Sequence, residues 1–263
     1  MTAAESSVLG TKRILVSMDT SACGQAALDV AVRLAINCRA ELHGLFVEDE
    51  DLVRLASLPF AREIEFSSAS TRKLQSANME RELHASGQQA QRAFADATQQ
   101  FNLHWTFQIV RGTVTRASLA AADDVDLLVI GSQGHHSLNM TFDYLTQRAA
   151  TGNRIVAVFD GSPSAFRAMG LASNLAESRS DGLTVLVLAD NGAERSRQCL
   201  LWLQQQGIQA EINQAIKPSS EAIIDYVQKY SPGVLLINRD SDAVGESQIY
   251  RIINEFDCPL ILC

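Results

Sequence analysis

Short apolar runs alternate along this chain with stretches of helical period. Ile14–Met18 and Ile155–Phe159 are each bounded by a turn signal, as buried parallel strands are. After each comes an acidic residue and then Ser21 or Ser162, side chains suited to capping a helix N-terminus. Pro163 follows at a first helical position, where its missing N–H costs little. From about Ala22 to Asn37, residues Ala27, Leu28, Ala31, Leu34 and Ala35 fall on one helical stripe, with small side chains that permit close approach to a sheet. A second strand is predicted at Leu42–Val47 and again at Leu183–Leu188. Strand, crossover helix and parallel strand make a right-handed βαβ unit.

The pattern is duplicated. Arg154-Ile155 repeats Arg13-Ile14 at an offset of 141 positions, and Asp160-Gly161-Ser162 repeats Asp19-Thr20-Ser21. Ala168, Ala172, Leu175 and Ala176 repeat Ala27, Ala31, Leu34 and Ala35; Leu183 and Leu186 repeat Leu42 and Leu45. Each copy continues with a strand (Trp105–Val110, and a weaker Gln209–Gln214), a helix near Thr115–Ala122 or Ser219–Lys229, and a strongly apolar strand at Leu127–Ile130 or Val234–Ile237. The expected fold class is α/β, with two tandem Rossmann-like, doubly wound parallel sheets. Residues 1–10 form a tail, 11–151 a first domain and 152–263 a second.

The copies differ in two places. Between its second and third strands the first copy has a long insertion, residues 48–104. Its apolar segment within 51–66 (Leu52, Val53, Leu55, Leu58, Phe60, Ile64, Phe66) must cover its own sheet, the other half or another subunit, or line a ligand pocket. Ala77–Gln100 reads as a long polar-rich helix. At the junction, Thr141–Ala150 reads as helix and Arg154 already opens the next domain, so a fifth strand of the first domain is missing. The edge thus left beside strand four needs cover. An intrachain pseudo-dimer between the halves, or a homodimer, is the expectation.

Composition narrows the function classes. A hydrophobic share of 46% permits a sizeable core, and a net charge of -8 argues against a nucleic-acid partner. No signal-peptide pattern or membrane-span-length apolar stretch occurs, so a cytoplasmic location and no membrane partner are expected. The five cysteines show no metal-ligand spacing and read as small buried hydrophobes. No nucleophile elbow or Walker loop occurs either, which favours a protein that is not an enzyme.

The stretches 13–21 (Arg-Ile-Leu-Val-Ser-Met-Asp-Thr-Ser), 154–162 (Arg-Ile-Val-Ala-Val-Phe-Asp-Gly-Ser), 126–134 (Asp-Leu-Leu-Val-Ile-Gly-Ser-Gln-Gly) and 258–262 (Cys-Pro-Leu-Ile-Leu) resemble the universal stress protein family in its tandem form. The resemblance implies strand order 3-2-1-4-5 and, in nucleotide-binding members, ATP held where the order reverses. Open α/β sheets do bind ligands at that switch point. It implies adenine contacts through Asp19 and Val47 and phosphate contacts through Gly131 and Gly134, with ATP or AMP as the candidate ligand and no required cofactor. His135 and His136 are candidate phosphate donors or polar loop residues. Asp19 has an equally ordinary role as a turn acid.

The family's Gly-x2-Gly-x9-Gly pattern breaks at position 144, which is Tyr144. In the second copy the matching positions read Asn238-Arg239-Asp240-Ser241, without the glycines, so no nucleotide is expected there; Arg239 reads as a surface ion-pair residue, with anion binding as the alternative. Three functions stay open: a stress-response binding and signalling protein, a ligand-free interaction module with a decayed pocket, and a slow ATPase.

Overall fold

In the computed structural model, residues 11–65, 70–73, 75–131, 154–179, 182–188, 190–215, 217, 219–241, 244–256 and 258–263 are described. The first half comprises β1 (Arg13–Met18), α1 (Ala22–Cys38), β2 (Glu41–Asp49), α2 (Glu50–Ala56), β3 (Arg62–Glu65), β4 (Ser70–Lys73), α3 (Ser76–Gln99), β5 (Trp105–Gly112), α4 (Val114–Ala120), a 3-10 turn (Ala121–Asp124) and β6 (Leu127–Gly131). The second comprises β7 (Arg154–Phe159), α5 (Pro163–Arg179), β8 (Gly182–Val187), α6 (Gly192–Gln206), β9 (Glu211–Gln214), α7 (Ser220–Tyr230), β10 (Val234–Ile237), α8 (Glu246–Glu255) and β11 (Leu260–Leu262). The segment 141–150, read from sequence as helix, lies outside the described residues.

The alternating Rossmann-like pattern holds, but the two expected sheets are joined into one. Nine strands run in the order β5-β2-β1-β6-β11-β10-β7-β8-β9. Within the first half the order is 3-2-1-4; within the second it is 3-2-1-4-5 read from the opposite end. The join is β11, parallel to β10 and antiparallel to β6. The second half's last strand therefore takes the place beside β6 that a fifth strand of the first half would fill. The free edge expected from sequence is covered from within the chain, and the carboxyl ends of the two parallel sets face opposite ways.

Helices cover both faces, and strand alternation divides the core accordingly. Ile14, Val16 and Met18 of β1 and Ile155, Ala157 and Phe159 of β7 pack with α1, α3, α5 and α6. Leu15, Val156 and Val158 point the other way, toward α4, α7 and α8. On the first face Asn37 at the end of α1 donates to Asn174 of α5 across 2.5 Å. On the second, Thr115 of α4 donates to Asn254 of α8 at 3.1 Å. All five cysteines are free thiols, with Cys23, Cys38 and Cys199 buried and Cys258 and Cys263 half-buried.

The long first-half insertion resolves into two parts. Helix α3 is the ordinary crossover between β2 and β5, as α6 is between β8 and β9. Its stripe Gly87, Ala90, Phe94 and Thr98 is buried on its own sheet, with Phe94 edge-on to Trp105 and Phe107. The surplus is α2 with the antiparallel hairpin β3–β4. Helix α2 starts where the Asp49 side chain accepts the Asp51 N–H at 2.8 Å, and two acids in its first turn suit the helix dipole.

Candidate functional site

Strand β1 lies between β2 and β6, with Ser17 opposite Leu45 and Met18 opposite Gly131. This register delivers Asp19 and Gly131 to adjacent strand ends, at the point where the strand order reverses. The chain then turns sharply into α1. Asp19 Oδ1 accepts the Ser21 N–H at 2.9 Å and also the Ser21 hydroxyl, while Ser21 Oγ accepts the Gly24 N–H at 3.1 Å. Asp19 thus performs the ordinary turn-acid role that its sequence position allowed. Gly24 is needed for this: a Cβ there would stand 2.3 Å from the Asp19 carbonyl oxygen.

Asp19 also faces a cleft of about 160 Å³. Val47 of β2 lines the same cleft, so the structure brings together two residues predicted to act together. Gly131 plays a different part. A Cβ at this position would meet the Ala27 Cβ at 2.2 Å and the Cys23 carbonyl oxygen at 2.6 Å. The glycine lets the end of β6 press against α1; it is not among the residues lining the cleft. Gly134, His135, His136 and Tyr144 lie outside the described residues.

The remaining walls were not legible from sequence. Leu52 comes from α2, Leu83 and Ser86 from adjacent turns of α3, and Asp49 from the end of β2. Asp49, only 4% exposed, lines the cleft together with Asp19. One signal could have found it: Asp49 ends β2 as Asp19 ends β1. Leu52 lies in the inserted apolar segment for which a ligand pocket was one of the places expected from sequence, whereas Leu83 stands on the ordinary crossover helix and nothing in the sequence marked it.

At the equivalent place in the second half the side chains hydrogen-bond to one another. Asp160 Oδ1 accepts the Ser162 N–H at 2.9 Å; Asp160 Oδ2 accepts the Ser241 hydroxyl at 2.6 Å and an Asn238 amide N–H at 3.1 Å. The same Asn238 nitrogen reaches Ser162 Oγ at 3.1 Å. Burial pushes the Asp160 carboxyl up, but the hydrogen bonds from Ser241, Ser162 and Asn238 together outweigh it and hold the group below its ordinary 3.8. Arg239 corrects its sequence reading as a surface ion-pair residue. Its guanidinium donates to the carbonyls of Ala122 at 2.8 Å and Val125 at 2.9 Å, in the first half's 3-10 turn and the residue after it. The position where a phosphate loop would begin is a strut between the halves.

Among the described residues there is no group of three or more His, Cys, Asp or Glu able to hold a metal, and no helix long and apolar enough to cross a membrane.

Comparison with known proteins places these features in context. Residues 10–142 match the family model described as "Universal stress protein family". No curated protein matches significantly. Among solved structures, a universal stress protein from Archaeoglobus fulgidus DSM 4304 is 13% identical, with 95% of each chain covered and a TM-score of 0.54. A protein of Pseudomonas aeruginosa UCBPP-PA14 assigned to that family is 15% identical, covering 97% of this chain and 94% of its own, with a TM-score of 0.50. A functionally unknown protein of Pseudomonas aeruginosa PAO1 is 14% identical, covering 97% and 93%, with a TM-score of 0.51. At these identities the likeness is one of fold, and it extends over both halves.

Proposed function

This chain belongs to the universal stress protein family, and from that premise we propose that it is a cytoplasmic stress-response binding and signalling protein rather than an enzyme. Its two halves derive from a tandem duplication and behave as an intrachain pseudo-dimer. The first half binds a ligand of the adenine nucleotide type, ATP or AMP, weakly; the second binds none. The observation carrying this reading is that Asp19 and Val47 line one cleft at the carboxyl ends of adjacent strands, where an open α/β sheet takes its ligand. The loss of nucleotide binding in the second half is supported by the closed network around Asp160.

The test is thermal unfolding of the full chain with and without ATP, ADP and AMP. A ligand that binds only the folded state adds about 2.7 kcal/mol when present at about 100 times its Kd. A rise in Tm with one of them, lost on changing Val47→Asp, is the expected result. Absence of any response would favour the ligand-free interaction module. Nucleotide hydrolysis that depends on Asp19 would replace binding with catalysis.

A further inference from the structure

The nine-stranded sheet ends in two edges of different character. β9 is four residues long and carries Glu211, which is ion-paired to Arg154. β5 is eight residues long and, among the described strands, pairs only with β2. Protein sheets protect their edges by shortness, charge, proline or bulges. β9 has shortness and charge. From Trp105 to Val110, β5 has no charge and no proline, and its aromatic and β-branched side chains favour strand pairing.

Pairing with β2 fixes which backbone groups of β5 face outward. The Leu42 N–H donates to the His104 carbonyl at 3.0 Å, and Leu42 stands opposite Trp105. Backbone groups alternate sides along a strand, so Thr106, Gln108 and Val110 turn theirs toward β2. Trp105, Phe107, Ile109 and Arg111 turn their N–H and C=O groups to the free edge. The side chains of these four share the α3 face. There Trp105 and Phe107 each meet Phe94 edge-on, and Arg111 reaches Glu80 of α3 at 2.7 Å.

This edge is complementary to itself. An antiparallel second β5, related by a two-fold axis at Gln108, brings outward-facing residues opposite one another. Trp105 meets the partner's Arg111, and Phe107 meets the partner's Ile109. The one charge on the strand thus falls beside an indole ring and not beside a like charge, and the other pair joins an aromatic to a β-branched side chain. An axis at Phe107 would leave Arg111 opposite Leu103, and an axis at Ile109 would leave Trp105 opposite Thr113, both outside the strand. Pairing β5 with β9 of another copy would engage only four residues of β9 and, being head-to-tail, would not close into a dimer.

We propose that the chain forms a symmetric homodimer in which β5 pairs with β5 of a second copy about Gln108, making one sheet continuous across both chains. Antiparallel addition of a strand already joins the two halves, through β11 and β6. The proposal does not depend on what the cleft beside Asp19 binds.

Sedimentation equilibrium of the full chain over a concentration series tests it, and the wild-type chain is expected at twice the mass of one chain. Gln108 is exposed, so Gln108→Lys should leave the circular dichroism spectrum unchanged. It sets two ammonium groups opposite each other and should raise the dimer Kd at least about tenfold. Residues facing each other across such a non-hydrogen-bonded pair stand about 4.5 Å apart at Cα, within reach of a disulfide. Diamide oxidation should therefore link two Gln108→Cys chains through position 108, as peptide mass mapping would report. Thr106→Cys, which faces Val110 across the axis, should not link to itself. A wild-type chain that is monomeric throughout the series would overturn the proposal, as would a dimer that Gln108→Lys leaves unchanged. Linking at position 106 and not at 108 would overturn the register.

Discussion

Ile261 of β11 lies opposite Val129 of β6 in an antiparallel ladder, and both side chains are fully buried on the same face of the sheet. This pairing makes one sheet of two halves. Without it β6 would present an open row of N–H and C=O groups.

Ile261→Ala should therefore destabilise both halves together. The expected cost is about 2–5 kcal/mol, the range for deleting buried Ile or Leu side chains. Each half carries one tryptophan, Trp105 and Trp202. Urea unfolding followed in two single-tryptophan variants (Trp105→Phe and Trp202→Phe) should give coincident transitions, both shifted to lower urea by Ile261→Ala. A shift at Trp202 alone would mean that the halves unfold independently.

Gly131→Ala should destabilise through overpacking, by about 1–3 kcal/mol, because the added methyl meets Ala27 and the Cys23 carbonyl. Ala27→Gly removes one of those two obstacles. The double variant should thus lose less than the sum of the single losses in a denaturant-unfolding cycle. Strict additivity would show that the contact between β6 and α1 is not what requires glycine there.

Arg239→Met should cost about 1–3 kcal/mol by removing the donors to two half-buried carbonyls. Arg239→Lys should recover little of it, because an ammonium group cannot reproduce the planar fork that meets both oxygens. Stability measured at 0.1 and 1 M salt should change little in this difference. A strongly salt-dependent loss would restore the ion-pair role expected from sequence.

The Asp160 network predicts a pH dependence. The folded-state carboxyl lies below its ordinary 3.8, so the folded protein holds its proton less tightly than the unfolded chain. The resulting stability is complete above the ordinary value and disappears as pH falls through the lower folded value. Asp160→Asn should be less stable than wild type at neutral pH. The difference should shrink as the solution is acidified below about pH 4. A difference that is constant from pH 7 to pH 2 would mean that the charge of Asp160 contributes nothing.

Burial pushes the Cys38 and Cys199 thiols up to about 11. At pH 8 neither should react appreciably with iodoacetamide in the native protein, and both should react in urea, as peptide mass mapping would report. Rapid native labelling of Cys199 would show that α6 opens readily from β8 and β9.

Local pattern alone determined the strand-helix-strand elements that open each copy. The apolar runs at Ile14–Met18 and Ile155–Phe159, the Ser21 and Ser162 turns and the stripe on α1 are short-range signals, and the duplicated βαβ order follows from them without any knowledge of contacts. The proximity of Asp19, Val47 and Gly131 was implied by the family resemblance, whose strand order places them at neighbouring ends. Tertiary structure decided what each then meets. A buried strand such as Leu260–Leu262 looks alike whichever strand it pairs with, so its antiparallel union with β6 could not be read from its residues. Gly131 is equally a phosphate loop glycine or a packing glycine until Ala27 is seen against it. Arg239 is equally an ion-pair partner or a strut until the Ala122 and Val125 carbonyls arrive from the other half. Leu52 of α2, Leu83 of α3 and Asp49 at the end of β2 meet at the cleft only in the folded chain. Hydrogen bonding and packing between distant segments depend on which surfaces come together, and sequence periodicity carries no record of that choice.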